Sequence, residues 1–232
     1  MIDAAEFFGY DAIAIYHGSP RMVKHPKFGE GSSHNDFGLA FYMTEVEELA
    51  FEWACPTLES GWANEYALDA RGLSVLDLNG DEFTVLNWMA TLLAHRRISM
   101  EPGIAAEART FIIENYSVDL SDADIVYGYR ADDSNFHIAR SFLNNRIPVE
   151  VLEQSLFLGG LGYQAALKSQ TCFEHLTWVS AQSAAGNVWH PRRIRRDSEA
   201  RRIAGELERM AASSSEGTFI IDIMRGSNPW PR

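Results

Sequence analysis

Cysteine is nearly missing from this 232-residue chain, which carries only Cys55 and Cys172. Two thiols are too few to frame a disulfide-stapled fold, so a reducing compartment is expected and each reads as a small buried hydrophobe. Long apolar runs are missing too: nothing approaches the roughly 18 apolar residues of a spanning helix. No basic segment leading into an apolar one marks a secretory leader. These absences point to the cytoplasm and to no membrane role, with export by a leaderless route still compatible. Positive charge is scarce, 20 Lys and Arg against 32 Asp and Glu for a net −12, which argues against nonspecific nucleic-acid binding over the whole surface.

Familiar site motifs are absent as well. No glycine loop ends in Gly-Lys-Ser/Thr, and Gly29-Glu30-Gly31 lacks the strand and helix of a dinucleotide fingerprint. The seven histidines never fall as His-Glu-x-x-His and the cysteines are isolated, so no metal is expected. A Gly-x-Ser-x-Gly elbow is not found either. What the chain has is 46% hydrophobic and 12% aromatic residues, enough for a folded core.

Periodicity predicts an α+β protein. Strands are expected at Ala12–Tyr16, Phe37–Thr44, Glu65–Asp69, Leu73–Leu78, Asp124–Tyr129, Tyr163–Leu167 and His175–Val179. A last strand is predicted over Thr218–Met224. Helices are predicted near 45–54, 83–97, 104–116, 135–146, 148–158 and 198–212. Strands at both ends with helices gathered between them favour α+β over alternating βαβ units. The chain divides into a main domain, 1–186, and a C-terminal extension, 187–232, an arginine-rich helix and strand packed on it. In that extension Arg192, Arg193, Arg195, Arg196, Arg201 and Arg202 form one basic run, offset by Asp197 and Glu199. It reads either as a solvated helix start or linker, or as a docking patch for an acidic partner or RNA.

Two segments carry chemistry. Tyr16-His17-Gly18-Ser19 and Phe41-Tyr42-Met43-Thr44 each end an apolar run with an imidazole or phenol, close to Gly18 in one and Gly38 in the other. Trp53 follows Tyr42 by eleven residues on the next helix, where a tryptophan is either core or a stacking surface. His34, Asn35 and Asp36 sit in a Gly- and Ser-rich stretch, read either as a surface loop or as one that closes over a ligand.

This arrangement resembles the ADP-ribosyltransferase superfamily, of the diphtheria-toxin and poly-ADP-ribose-polymerase type. There a histidine on the first strand and a tyrosine on the second grip the nicotinamide half of NAD. The pattern from about residue 10 to 180, including Asp124-Ile125-Val126-Tyr127-Gly128 and Leu176-Thr177-Trp178, resembles a bacterial family of uncharacterised function placed among these transferases. The resemblance implies a split-sheet core and NAD as substrate, bound by His17, Gly18, Ser19, Phe41, Tyr42 and Trp53. It implies mono-ADP-ribosyl transfer to an unidentified protein or nucleic-acid acceptor, with hydrolysis of NAD or a degenerate binding module as alternatives. The third position, a glutamate in many members, falls on Gln164 or on Gln170, and the missing charge puts polymer elongation in doubt. Asp132 and Asp133 either supply that charge, or act on the acceptor, or simply cap a turn.

Overall fold

Short β-branched and aromatic runs become strands here, and stretches with apolar residues every three or four positions become helices. The structure, a computed structural model, describes residues 1–100, 102–131, 133–160, 162–213, 216–226 and 230. In chain order the elements are β1 (Ile2–Asp3), α1 (Ala4–Phe8), β2 (Ala12–Ser19), β3 (Phe41–Met43), α2 (Glu47–Ala54), β4 (Gly61–Asp69) and β5 (Ser74–Asp77). Then come α3 (Val85–His95), α4 (Ile104–Tyr116), β6 (Ile125–Tyr129), α5 (Asp133–Leu143) and α6 (Val149–Ser155). The last are β7 (Tyr163–Leu167), α7 (Gln170–Glu174), β8 (Leu176–Ala184), α8 (Gly186–Ala212) and α9 (Ile220–Arg225). The protein is thus α+β, with two sheets and nine α-helices among the described residues.

Two units alternate along the chain. One takes Met1–Asp77, Leu120–Gly128 and Tyr163–Arg195. Its sheets run β1-β5-β6-β7-β3 and β2-β4-β8. β2 lies antiparallel to β4, and β3 to β7 with Tyr42 opposite Ala166. Ile15, Met43, Tyr66, Leu68, Val75, Ile125 and Leu167 close a core between the elements, each 1% exposed or less. The other unit takes Leu78–Asp119, Tyr129–Gly162 and Arg196–Arg232 and is built of helices. α3 is buried nearly all round, as its mean composition requires, and its Trp88 indole donates to the Tyr129 carbonyl at 3.0 Å.

Three predicted elements need correction. Thr218–Met224 is no strand: its C-terminal part is helix α9, with Ile220 and Ile223 buried one turn apart and Gly226 closing it at φ 69°. Local β-propensity is overridden there by packing, and the Glu150 carboxylate accepts from Thr218 N–H. The helix placed at 198–212 starts at Gly186, so the basic run lies inside α8 and is no linker. The second strand is also shorter than predicted, since Asn35–Gly38 closes a turn in which Gly38 takes φ +79°.

Close backbone approach decides how α2 sits. A Cβ on Gly18 would lie 2.1 Å from the Ala50 carbonyl oxygen and 2.7 Å from Trp53 Cβ. A Cβ on Gly61 would lie 2.2 Å from the Ala54 carbonyl oxygen. Both glycines let the helix backbone rest on β2 and β4. Gly18→Ala should therefore destabilise the protein by about 1–3 kcal/mol through overpacking. Gly205→Ala, in α8 with open space around it, should instead stabilise by roughly 0.5–1 kcal/mol. Urea midpoints of the two variants check this, and equal midpoints would sink the account of Gly18.

Candidate active site

The two sheets of the strand-bearing unit meet at Tyr16 and Thr44. Tyr16 N–H donates to the Thr44 carbonyl at 2.8 Å and Thr44 N–H returns the bond at 2.9 Å, as an isolated bridge. One residue on, His17 Nδ1 lies 2.8 Å from the Tyr42 carbonyl oxygen. A carbonyl only accepts, so Nδ1 carries the proton and the neutral ring presents Nε2 as an acceptor. Burial holds the His17 pKa below the usual imidazole range, with the Tyr42 carbonyl pulling weakly the other way. The ring leans on Phe41, centroids 4.3 Å apart.

Alternation in the ladder fixes what else faces this point. Tyr16 uses its backbone groups toward Thr44, so those of Gly18, two residues on, turn to the same side and away from β4. Gly18 thus offers an N–H and a C=O beside His17. Ser19 is buried, and its hydroxyl accepts from Arg21 N–H at 3.4 Å, a local turn contact. Trp53 stands on α2 over Gly18, half-buried. Phe41 packs against Tyr66 and Phe173, so it buttresses His17 from the core side.

Tyr42 lies opposite Ala166, which puts it on the face of β7 that carries Gln164, Ala166 and Lys168. Its hydroxyl is used at both ends, donating to the Gly38 carbonyl at 2.7 Å and accepting from Phe37 N–H at 2.9 Å. Lys168 Nζ donates to the Phe37 carbonyl at 2.9 Å, and burial pulls its pKa down. Gln164 Nε2 donates to Asp36 Oδ2 at 2.7 Å, with Gln164 4% and Asp36 5% exposed. The segment Asp36–Gly38 is therefore strapped across this face, while residues 29–34 are exposed. Lys168 was missed as a site residue, though the i, i+2, i+4 spacing from Gln164 places it there. The partnership of Asp36 with Gln164 has no local signal at all.

The remaining candidates fall elsewhere. Gln170 opens the short helix α7, exposed, and donates to Glu174 at 3.3 Å. Asp132 lies outside the described residues, and of Asp133 only the backbone, at the start of α5, is described. On α8, Arg202 is held by Glu199 and Glu206 at 2.6 Å each, and Arg192 stacks over Trp189 at 4.6 Å. Cys55 and Cys172 are buried and unbridged, and burial pushes the Cys172 thiol up to about 11. Among the described residues no acidic, imidazole or thiol cluster suits a metal ion, and no helix is long and apolar enough to cross a membrane.

A histidine held below its unfolded pKa links stability to pH in one direction. Above about 6.5 neither state is protonated at His17, so its contribution is intact. Below that, the unfolded chain takes the proton first, and stability falls by at most about 1.4 kcal/mol per pH unit until the folded pKa is passed. His17→Gln should remove this component. Urea midpoints of both proteins between about pH 5 and 8 test it, and parallel profiles would refute the neutral ring held below its ordinary pKa.

No curated protein and no solved structure matches the chain significantly. Residues 13–178, which hold every element of the site just described, match the family described as Protein of unknown function (DUF3990), and the chain belongs to that family.

Proposed function

We propose that this protein is an NAD-dependent mono-ADP-ribosyltransferase acting on a macromolecular acceptor. The observation that carries the reading is the hydrogen bond from His17 Nδ1 to the Tyr42 carbonyl at the junction of two sheets. It brings together the histidine of one strand and the tyrosine of the next, as the resemblance to the transferases requires. The split arrangement of β2-β4-β8 and β7-β3 supports the same core.

The groups present fit NAD. A neutral His17 Nε2 accepts a ribose hydroxyl proton, and the Gly18 N–H and C=O pair with a carboxamide, which offers one acceptor and two donors. Tyr42 and Trp53 supply aromatic faces for the nicotinamide ring. In the reaction the C1′–N bond breaks and its electron pair stays with nicotinamide, which leaves neutral. Positive charge gathers on the ribose in an oxocarbenium-like transition state. An acceptor oxygen or nitrogen then bonds to C1′ and gives up its proton. Fixing the leaving ring and the ribose hydroxyl before this step is the part these residues play.

A second reading draws on Gln164, which is neutral and 4% exposed: a pocket that binds NAD without turning it over. Release of nicotinamide separates the two. His17→Ala should weaken NAD binding about tenfold or more, the scale of one lost charge-free hydrogen bond in a desolvated site. Tyr42→Phe keeps the ring and should bind NAD almost normally, whereas Tyr42→Ala should not. Calorimetric titration of folded variants and a nicotinamide assay make the measurement. Wild-type affinity in both alanine variants would sink the site, and binding without release would favour the second reading.

A further inference from the structure

We propose that Asp36 is a positioning residue that fixes the amide of Gln164, so that the Gln164 carbonyl oxygen is what this strand offers to a ribose hydroxyl. The inference rests on the transferase reading and goes beyond it, because it assigns how a neutral third residue does the work of a carboxylate.

A glutamine amide has two faces, an acceptor and a donor, and an unanchored one presents either. Asp36 removes that choice. As a carboxylate it can only accept, so the Gln164 NH₂ must turn toward it, and the bond is 2.7 Å. No donor among the described residues reaches Gln164 Oε1, which points away from Asp36. The anchored glutamine thereby behaves as an acceptor-only group, as a carboxylate would. Its partner is itself held in place. The residue after Asp36 is gripped by the Tyr42 hydroxyl on its N–H and by Lys168 on its carbonyl. The aromatic that stacks on the leaving ring and the residue that orients the amide are thus tied to one short segment.

A purely structural role for Asp36 makes a different forecast, and a swap of the pair tells them apart. Asp36→Asn leaves an amide that can face Gln164 either way, so the orientation is lost while the packing is nearly kept. Gln164→Glu sets two carboxylates side by side. The double variant, Asp36→Asn with Gln164→Glu, rebuilds the bond with its polarity reversed and turns a carboxylate oxygen outward. Each protein is assayed for nicotinamide release from NAD, for NAD affinity by titration and for its urea midpoint.

The two single variants should lose on the order of 10–100-fold in kcat with NAD affinity little changed. The double variant should regain most of it. Equal kcat in all four proteins overturns the inference alone, as does a double variant no better than the weaker single one. Losses of kcat that follow the urea midpoints one for one also overturn it, making Asp36 a structural pin. Wild type that releases no nicotinamide overturns the transferase reading together with this one.

Discussion

The pair of backbone hydrogen bonds between Tyr16 and Thr44 sets the geometry of everything around the site. Each strand belongs to a different sheet, and each sheet buries its own face against helices or core. Where two twisted sheets touch at one bridge, the residues just beyond it are freed from ladder pairing on that side. Those residues are His17, Gly18 and Tyr42. A continuous ladder would have consumed the Gly18 backbone groups and the Tyr42 carbonyl in strand pairing. Because the bridge is isolated, the carbonyl is left for an imidazole, and the imidazole is left with one tautomer.

Helix α2 rests on that junction through glycine. With no Cβ on Gly18 or Gly61 the helix backbone comes within van der Waals reach of β2 and β4, and Trp53 is carried over Gly18. The same absence that packs the helix also leaves the Gly18 peptide groups unshielded by a side chain. Structure and proposed function share one residue here, so substitutions at Gly18 confound the two, and His17 and Tyr42 are the cleaner probes.

What could be read from the sequence is what local chemistry decides. Ala12–Tyr16 declares itself by its β-branched residues, although the strand does not stop at the glycine but runs through Gly18 to Ser19. α3 and α4 declare themselves by their apolar spacing and β7 by its short apolar run. The opening α1 was legible in principle, with Asp3 capping Ala5 and Glu6 and Gly9 in the left-handed conformation; at five residues its periodicity is too short to see. Thr218–Met224 misled because β-propensity scores a surface that packing then used as helix. Asp36 was read only as part of a glycine- and serine-rich loop. Its burial comes from a residue 128 positions away, and no local pattern encodes a contact at that separation.

If the protein is the transferase proposed above, the Asp36–Gln164 pair bears on why a neutral residue at the third position need not silence it. A carboxylate about 4 Å from a developing cation contributes roughly 4 kcal/mol at an effective dielectric of 20. Moved one amide further back, to about 8 Å, it still contributes roughly 2 kcal/mol. That difference is about a thirtyfold loss in rate, a long way short of abolition. Gln164 carries no charge of its own, and Asp36 reaches its place with a donor on hand instead of bare hydrocarbon, which is what a side chain 5% exposed requires. On the proposed transferase reading, a charge set behind an oriented amide weakens transition-state stabilisation without removing it, and the Lys168 amine bonded to the same segment is another titratable group on that face.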